Sequence, residues 1–90
     1  MPETKLRVIV HQMRGIPYFL LREYLQELGG TFLTDEIVSG DGWQVTMEKM
    51  EPFTLGSISV GQTRLYMELE EKIADDFIAR FQKKTLRAGG

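Results

Sequence analysis

Each periodic segment of this chain is apolar on one side only, and that restricts the fold more than any other feature. The clearest pair stands late in the sequence. Across residues 63–69, Thr63, Leu65, Met67 and Leu69 alternate with Arg64, Tyr66 and Glu68, the period of a strand covered on one face. The spacing then changes. Ile73, Ala74, Phe77, Ile78 and Phe81 recur at helical intervals and predict a helix over residues 70–86. A one-sided strand and a one-sided helix each need a partner layer.

The rest of the chain repeats these two patterns. Residues 5–12 read as a first strand, with Leu6, Val8 and Val10 on one face and Arg7, Ile9 and His11 on the other. Pro17 opens a helix at the position where a missing N–H costs nothing. Its stripe is Leu21, Tyr24, Leu25 and Leu28, and Gly29-Gly30 closes it. A weaker strand spans residues 33–39, and Gly40-Asp41-Gly42 marks a hairpin turn. Trp43, Val45 and Met47 then alternate with Gln44, Thr46 and Glu48 until Pro52 breaks the run. Residues 55–60 read as a fourth strand, with Ile58 and Val60 opposite Ser57 and Ser59, and Gly61-Gln62 as the turn before the fifth.

The expected architecture is a single α+β domain over residues 1–90, in the order β-α-β-β-β-β-α, with both helices on one face of an antiparallel sheet. The expected core comprises Val8, Leu21, Leu25, Leu28, Trp43, Val45, Leu65, Met67, Phe77 and Phe81. By strand parity the free sheet face carries Arg7, Ile9, His11, Gln44, Thr46, Glu48, Ser57, Ser59, Arg64, Tyr66 and Glu68.

Composition narrows the function. Ninety residues are enough for one modest core. A net charge of −2 argues against general nucleic-acid binding, which needs a basic excess. With no cysteine there is no disulfide, thiolate metal site or cysteine nucleophile. No long apolar run suggests a membrane span, and the expected location is cytoplasmic.

Few residues suggest chemistry. His11 is the single histidine, and a strand histidine serves as a base or ligand only with partners. No metal or other cofactor is expected. Ser57 and Ser59 lie on a strand, not at a strained turn before a helix, so a serine nucleophile has little support. SGDGW lacks the lysine and following helix of a phosphate loop. Asp75-Asp76 and Glu70-Glu71 read as the acidic start of a helix, and Arg80, Lys83, Lys84 and Arg87 as its basic end. Gly89-Gly90 is the sharpest signal. Ubiquitin-like sulfur carriers end in such a pair, because an unhindered glycine carboxylate can be adenylated and converted to a thiocarboxylate. Those carriers open with a β-hairpin and hold the tail after a strand, whereas here it follows a helix.

Three stretches, IPYFLLREYLQELGGT, MEPFTLGSISVGQTRLYMELE and FIARFQKKTLRAGG, together resemble a domain of known occurrence. It is the C-terminal domain of proteins related to the small subunit of molybdopterin synthase, the MoaD-related proteins. The shared pattern is a leucine-rich helix closed by Gly29-Gly30-Thr31, then Glu51-Pro52, Gly56-Ser57 with Ser59, and Arg64-Leu65. The resemblance covers residues 16–90. It implies a TBP-like β-α-β4-α fold and an association with molybdopterin-cofactor or sulfur-transfer pathways. In that family the domain follows a ubiquitin-like carrier domain, which is not part of this sequence, and the resemblance carries over no catalytic residue.

The resulting expectation is a non-enzymatic interaction module for a protein partner or a second copy of itself, binding neither nucleic acid nor membrane. Arg7, His11, Ser57, Ser59, Arg64 and Tyr66 are its candidate contact residues. The alternative is a carrier activated at Gly89-Gly90.

Overall fold

The computed structural model describes residues 5–89, with side chains to residue 86. The chain runs β1 (Leu6–Arg14), α1 (Tyr18–Glu27), β2 (Thr31–Phe32), β3 (Ile37–Gly40), β4 (Trp43–Leu55), β5 (Ile58–Glu70) and α2 (Glu71–Gly89). This is the expected α+β order. The five strands form one antiparallel sheet in the order β1-β5-β4-β3-β2, so β1 and β2 are its edges.

Register explains the core. Met67 at the centre of the sheet stands opposite Ile9 on one side and Val45 on the other, and Leu65 stands opposite His11 and Met47. Odd-numbered residues of β5 therefore share a face with Val45 and Met47, and both helices cover it. Leu21 and Leu25 come from α1; Ala74, Phe77 and Phe81 come from α2. The Phe77 ring lies 4.7 Å from Trp43 at 44°, and 6.4 Å from Phe81 in a stacked arrangement. Eight of the ten expected core residues are buried: Leu21, Leu25, Trp43, Val45, Leu65, Met67, Phe77 and Phe81. Leu28 is half-buried against them.

Val8 is the exception, 65% exposed, and it reveals an inverted expectation. The pairing of Arg7 with Leu69, Ile9 with Met67 and His11 with Leu65 puts those three residues on the helix side. Leu6, Val8 and Val10 are on the open face. Contacts at both ends of β1 agree with this facing. Arg7 is bonded to Glu71 and Asp75 of α2, and Met13 and Ile16 continue the helix-side row into the core.

Three boundaries also differ. The weak strand expected over residues 33–39 is two short strands, β2 and β3, separated by Leu33–Glu36. There Thr34 Oγ1 accepts the N–H groups of Glu36 and Ile37 at 3.1 and 3.0 Å, a local turn that competes with the ladder. Pro52 does not end β4. Pairing passes from Met50–Gln62 to Phe53–Val60, with one extra residue on β4, and the proline sits in that bulge, where its missing N–H breaks no ladder bond. Gly61-Gln62 is not a turn; residues 58–60 of the expected fourth strand and all of the expected fifth are one strand, β5, while Leu55 ends β4. The turn is Gly56-Ser57, a two-residue loop with Gly56 at φ +63°. A positive φ at the first loop position alone is the hairpin geometry that glycine supplies.

Candidate protein-binding face

The open side of the sheet is built from even-numbered residues of β1 and β5 and their β4 partners. In its middle, Arg64 Nη1 donates to Glu48 Oε1 at 3.3 Å and to the Tyr66 hydroxyl at 3.2 Å. The Tyr66 bond raises the guanidinium above its ordinary value, and the Glu48 charge adds to it. Arg64 and Tyr66 therefore form one preorganised polar cluster, the kind of side-chain pair that anchors interfaces.

Beyond the bulge, β4 and β5 continue as an arm. The bulge matters because it reverses the parity of β4. Before it, odd residues Val45 and Met47 face the helices. After it, Phe53 pairs with Val60 and Leu55 with Ile58, so these four share the open side with Gln62, Arg64 and Tyr66. Phe53, Leu55 and Ile58 are 37%, 68% and 62% exposed. The Arg14 guanidinium lies 4.3 Å above the Phe53 ring, and its Nε donates to Gln62 Oε1 at 2.8 Å. Gln62 Nε2 in turn donates to the Glu51 carbonyl at 3.0 Å. These bonds stiffen the base of the arm and leave its apolar tip bare. The molecule measures 55 Å along its longest axis against 23 and 19 Å across.

The residues singled out from sequence do not all meet. Arg64 and Tyr66 are neighbours on the open face. Arg7 and His11 are on the helix side of β1. The Arg7 guanidinium bridges Glu71 and Asp75, with 2.8 Å to Asp75, and both bonds raise it above its ordinary value. His11 borders a hollow of about 170 Å³ with Ile9, Ile78, Phe81 and Thr85. Ser57 and Ser59 have the opposite parity to Ile58 and Val60. Ser59 borders an open groove of about 820 Å³ at the start of α1, with Tyr18, Phe19, Arg22 and Lys49. In that region the Lys49 ammonium lies 5.0 Å from the Tyr18 ring, and Arg22 stacks over Phe32.

On α2, Arg80 pairs with Asp76 at 3.1 Å and Lys84 reaches Glu27 of α1 at 3.7 Å. Gly89 is in the last turn of α2, and Gly90 lies outside the described residues. Among the described residues, no cluster of histidine and carboxylate side chains could hold a metal ion, and no helix is long and apolar enough to cross a membrane.

Sequence reading missed the apolar part of this face: Leu6, Val8 and Val10 on β1, and Phe53 and Leu55 on the arm. The available signal for the arm was FTLGSISV, in which apolar residues flank a Gly-Ser dipeptide at hairpin spacing.

The model for archaeal MoaD-like proteins matches residues 9–90, from the middle of β1 through α2. No curated protein matches the chain. The match includes the open sheet face from Val10 onward, the arm and both helices, and by it this chain belongs to the archaeal MoaD-like protein family.

Proposed function

We propose that this protein is a non-enzymatic protein-binding module of a sulfur-transfer or molybdopterin-cofactor route, and that it engages a ubiquitin-like MoaD-type carrier with its arm and the adjoining Arg64–Tyr66 cluster. The observation that carries this reading is the arm, whose apolar residues stand on one side and in solvent. Full burial of a Leu, Ile or Phe side chain returns about 1.5–3 kcal/mol. A partner covering Phe53, Leu55 and Ile58 recovers energy that the fold leaves unused. The choice of partner rests on family membership and on the place of the resembling domain, beside a ubiquitin-like carrier.

The test is calorimetric titration with a purified MoaD-type carrier. The arm tip packs on nothing in the core, so Leu55→Ser with Ile58→Ser leaves the melting temperature close to wild type. The same pair of changes weakens carrier binding more than tenfold. Equal binding by wild type and variant, or no binding by either, refutes the reading.

A second reading, a carrier activated at Gly90, is favoured by the extent of the family match, which includes Gly89-Gly90. Against it, α2 continues through Gly89, whereas an activated tail enters its adenylating enzyme as an extended segment. Intact-mass measurement after incubation with such an enzyme, ATP and a sulfur donor separates the two. On the binding-module reading the mass is unchanged beside a control carrier that gains sulfur in place of oxygen.

A further inference from the structure

We infer that β1 is a self-association edge, at which two copies of this chain pair antiparallel across a two-fold axis through Val8 and join their sheets. This proposal is independent of the arm and its partner.

The backbone supplies the first argument. Glu71 N–H donates to the Lys5 carbonyl at 2.8 Å, and Gly15 N–H donates to the Gly61 carbonyl at 3.0 Å. Both bonds belong to the register that pairs Leu6 with Glu70 and Arg14 with Gln62 without a break. In an antiparallel ladder, alternate residues turn their N–H and C=O groups toward the neighbouring strand. Odd residues of β1 therefore bond to β5. The N–H and C=O groups of Leu6, Val8, Val10, Gln12 and Arg14 point out of the sheet along a nine-residue edge. The other edge, β2, has two residues.

The side chains supply the second argument. An exposed edge is ordinarily blunted by proline, a bulge or charge. Here the pairing of β1 has no bulge, the strand has no proline, and Leu6, Val8 and Val10 are 55%, 65% and 56% exposed on one face. Among the described residues, the same positions thus offer unpaired backbone groups and an apolar row.

The row also fits itself. With a dyad at Val8, Val8 meets Val8 of the second copy and Leu6 meets Val10. A dyad at Ile9 would set Leu6 against Gln12, and one at Val10 would set it against Arg14. Only the Val8 dyad gives all three aliphatic residues an apolar neighbour, and hydrophobic pattern fixes register where a face is covered. The contact is isologous and closes on itself, so it yields a dimer and not a fibre. It also gives one broad open face with an arm on each copy.

Because the chain has no cysteine, single-cysteine variants read the geometry directly. In a hydrogen-bonded antiparallel pair the Cα atoms are about 5.5 Å apart, within disulfide reach of roughly 4.4–6.8 Å. Val8→Cys therefore oxidises to a covalent dimer. Leu6→Cys alone and Val10→Cys alone do not, since each would stand four residues, about 13 Å, from its own copy. A mixture of Leu6→Cys and Val10→Cys chains does cross-link. Sedimentation of the wild-type chain across a concentration series shows a monomer–dimer equilibrium, which Val8→Lys weakens more than tenfold. Equal cross-linking at positions 6, 8 and 10, no cross-linking at 8, or a wild-type monomer at every concentration overturns the proposal. The cysteine variants keep the test decisive if Val8→Lys fails to fold. Arm variants leave the cross-linking unchanged, so this proposal and the carrier-binding reading fail separately.

Discussion

Phe77→Ala tests the packing that supports both surfaces. Phe77 is 4% exposed and sits between Trp43, from the start of β4, and Phe81, one helical turn further along α2. Truncation removes the ring that joins α2 to the sheet. Large core truncations of this kind cost about 3–5 kcal/mol through lost transfer energy and the cavity left behind. The aromatic neighbours push the value toward the upper end, since each favourable ring pair adds about 0.5–1.5 kcal/mol beyond its area. At about 0.05–0.15 kcal/mol per residue, a chain of 90 residues holds roughly 5–13 kcal/mol in total. The change therefore removes between a quarter and nearly all of it. One kcal/mol moves the midpoint of a domain this size by about 4–8 °C, so circular-dichroism melting should show a fall of at least roughly 12 °C. A shift under about 4 °C, with a cooperative transition retained, would mean that α2 is not held through Phe77.

Two further predictions use other parts of the core. A Cβ on Gly40 would fall on the Trp43 indole, so Gly40→Ala costs about 1–3 kcal/mol by overpacking; a Cβ on Gly29 meets no atom within 4 Å, and Gly29→Ala costs only about 1–2 kcal/mol for its φ of +102°. Urea midpoints of the two variants check both values. The Tyr18 phenol is raised above its ordinary value, first by burial and then by the Glu36 charge, with Arg22 opposing and Asp35 adding; its hydroxyl donates to the Asp35 carbonyl at 3.0 Å. Folding thus favours the protonated phenol. Its contribution to stability is complete below the ordinary phenol value of 10.0 and is lost as pH rises through the raised folded value. Ultraviolet titration should show a late phenolate component that Tyr18→Phe abolishes.

How far the fold was legible depends on where the decisive information lies. The helix stripes and the alternation at Trp43–Met47 and Leu65–Leu69 were readable because each has one apolar row facing one polar row. In β1 both rows contain aliphatic residues, Leu6, Val8 and Val10 against Ile9 and Met13, and binary pattern selects the richer row for the core. The structure does the reverse: the register with β5 puts Ile9 and Met13 on the helix side, together with Arg7, which bonds to Glu71 and Asp75. A second misreading arose at Pro52 and Gly61, where local chain-breaking residues are absorbed by a bulge and a long hairpin. Both errors concern positions that expose apolar side chains against the usual pattern. Conflicts between local pattern and global fold gather at functional sites, and here they mark the two surfaces proposed for binding. His11, Ser57 and Ser59 were expected on the open face by strand parity; the inverted facing of β1 and the unbroken run of β5 through Gly61 place all three away from Arg64 and Tyr66.

The measurement that tests the central claim most directly is amide chemical-shift mapping of the labelled chain titrated with an unlabelled MoaD-type carrier. The account predicts saturable perturbations at Phe53, Leu55, Ile58, Arg64 and Tyr66, with α1 and α2 silent. Perturbations confined to the helices or to residues 87–90, with the arm unmoved, would contradict it.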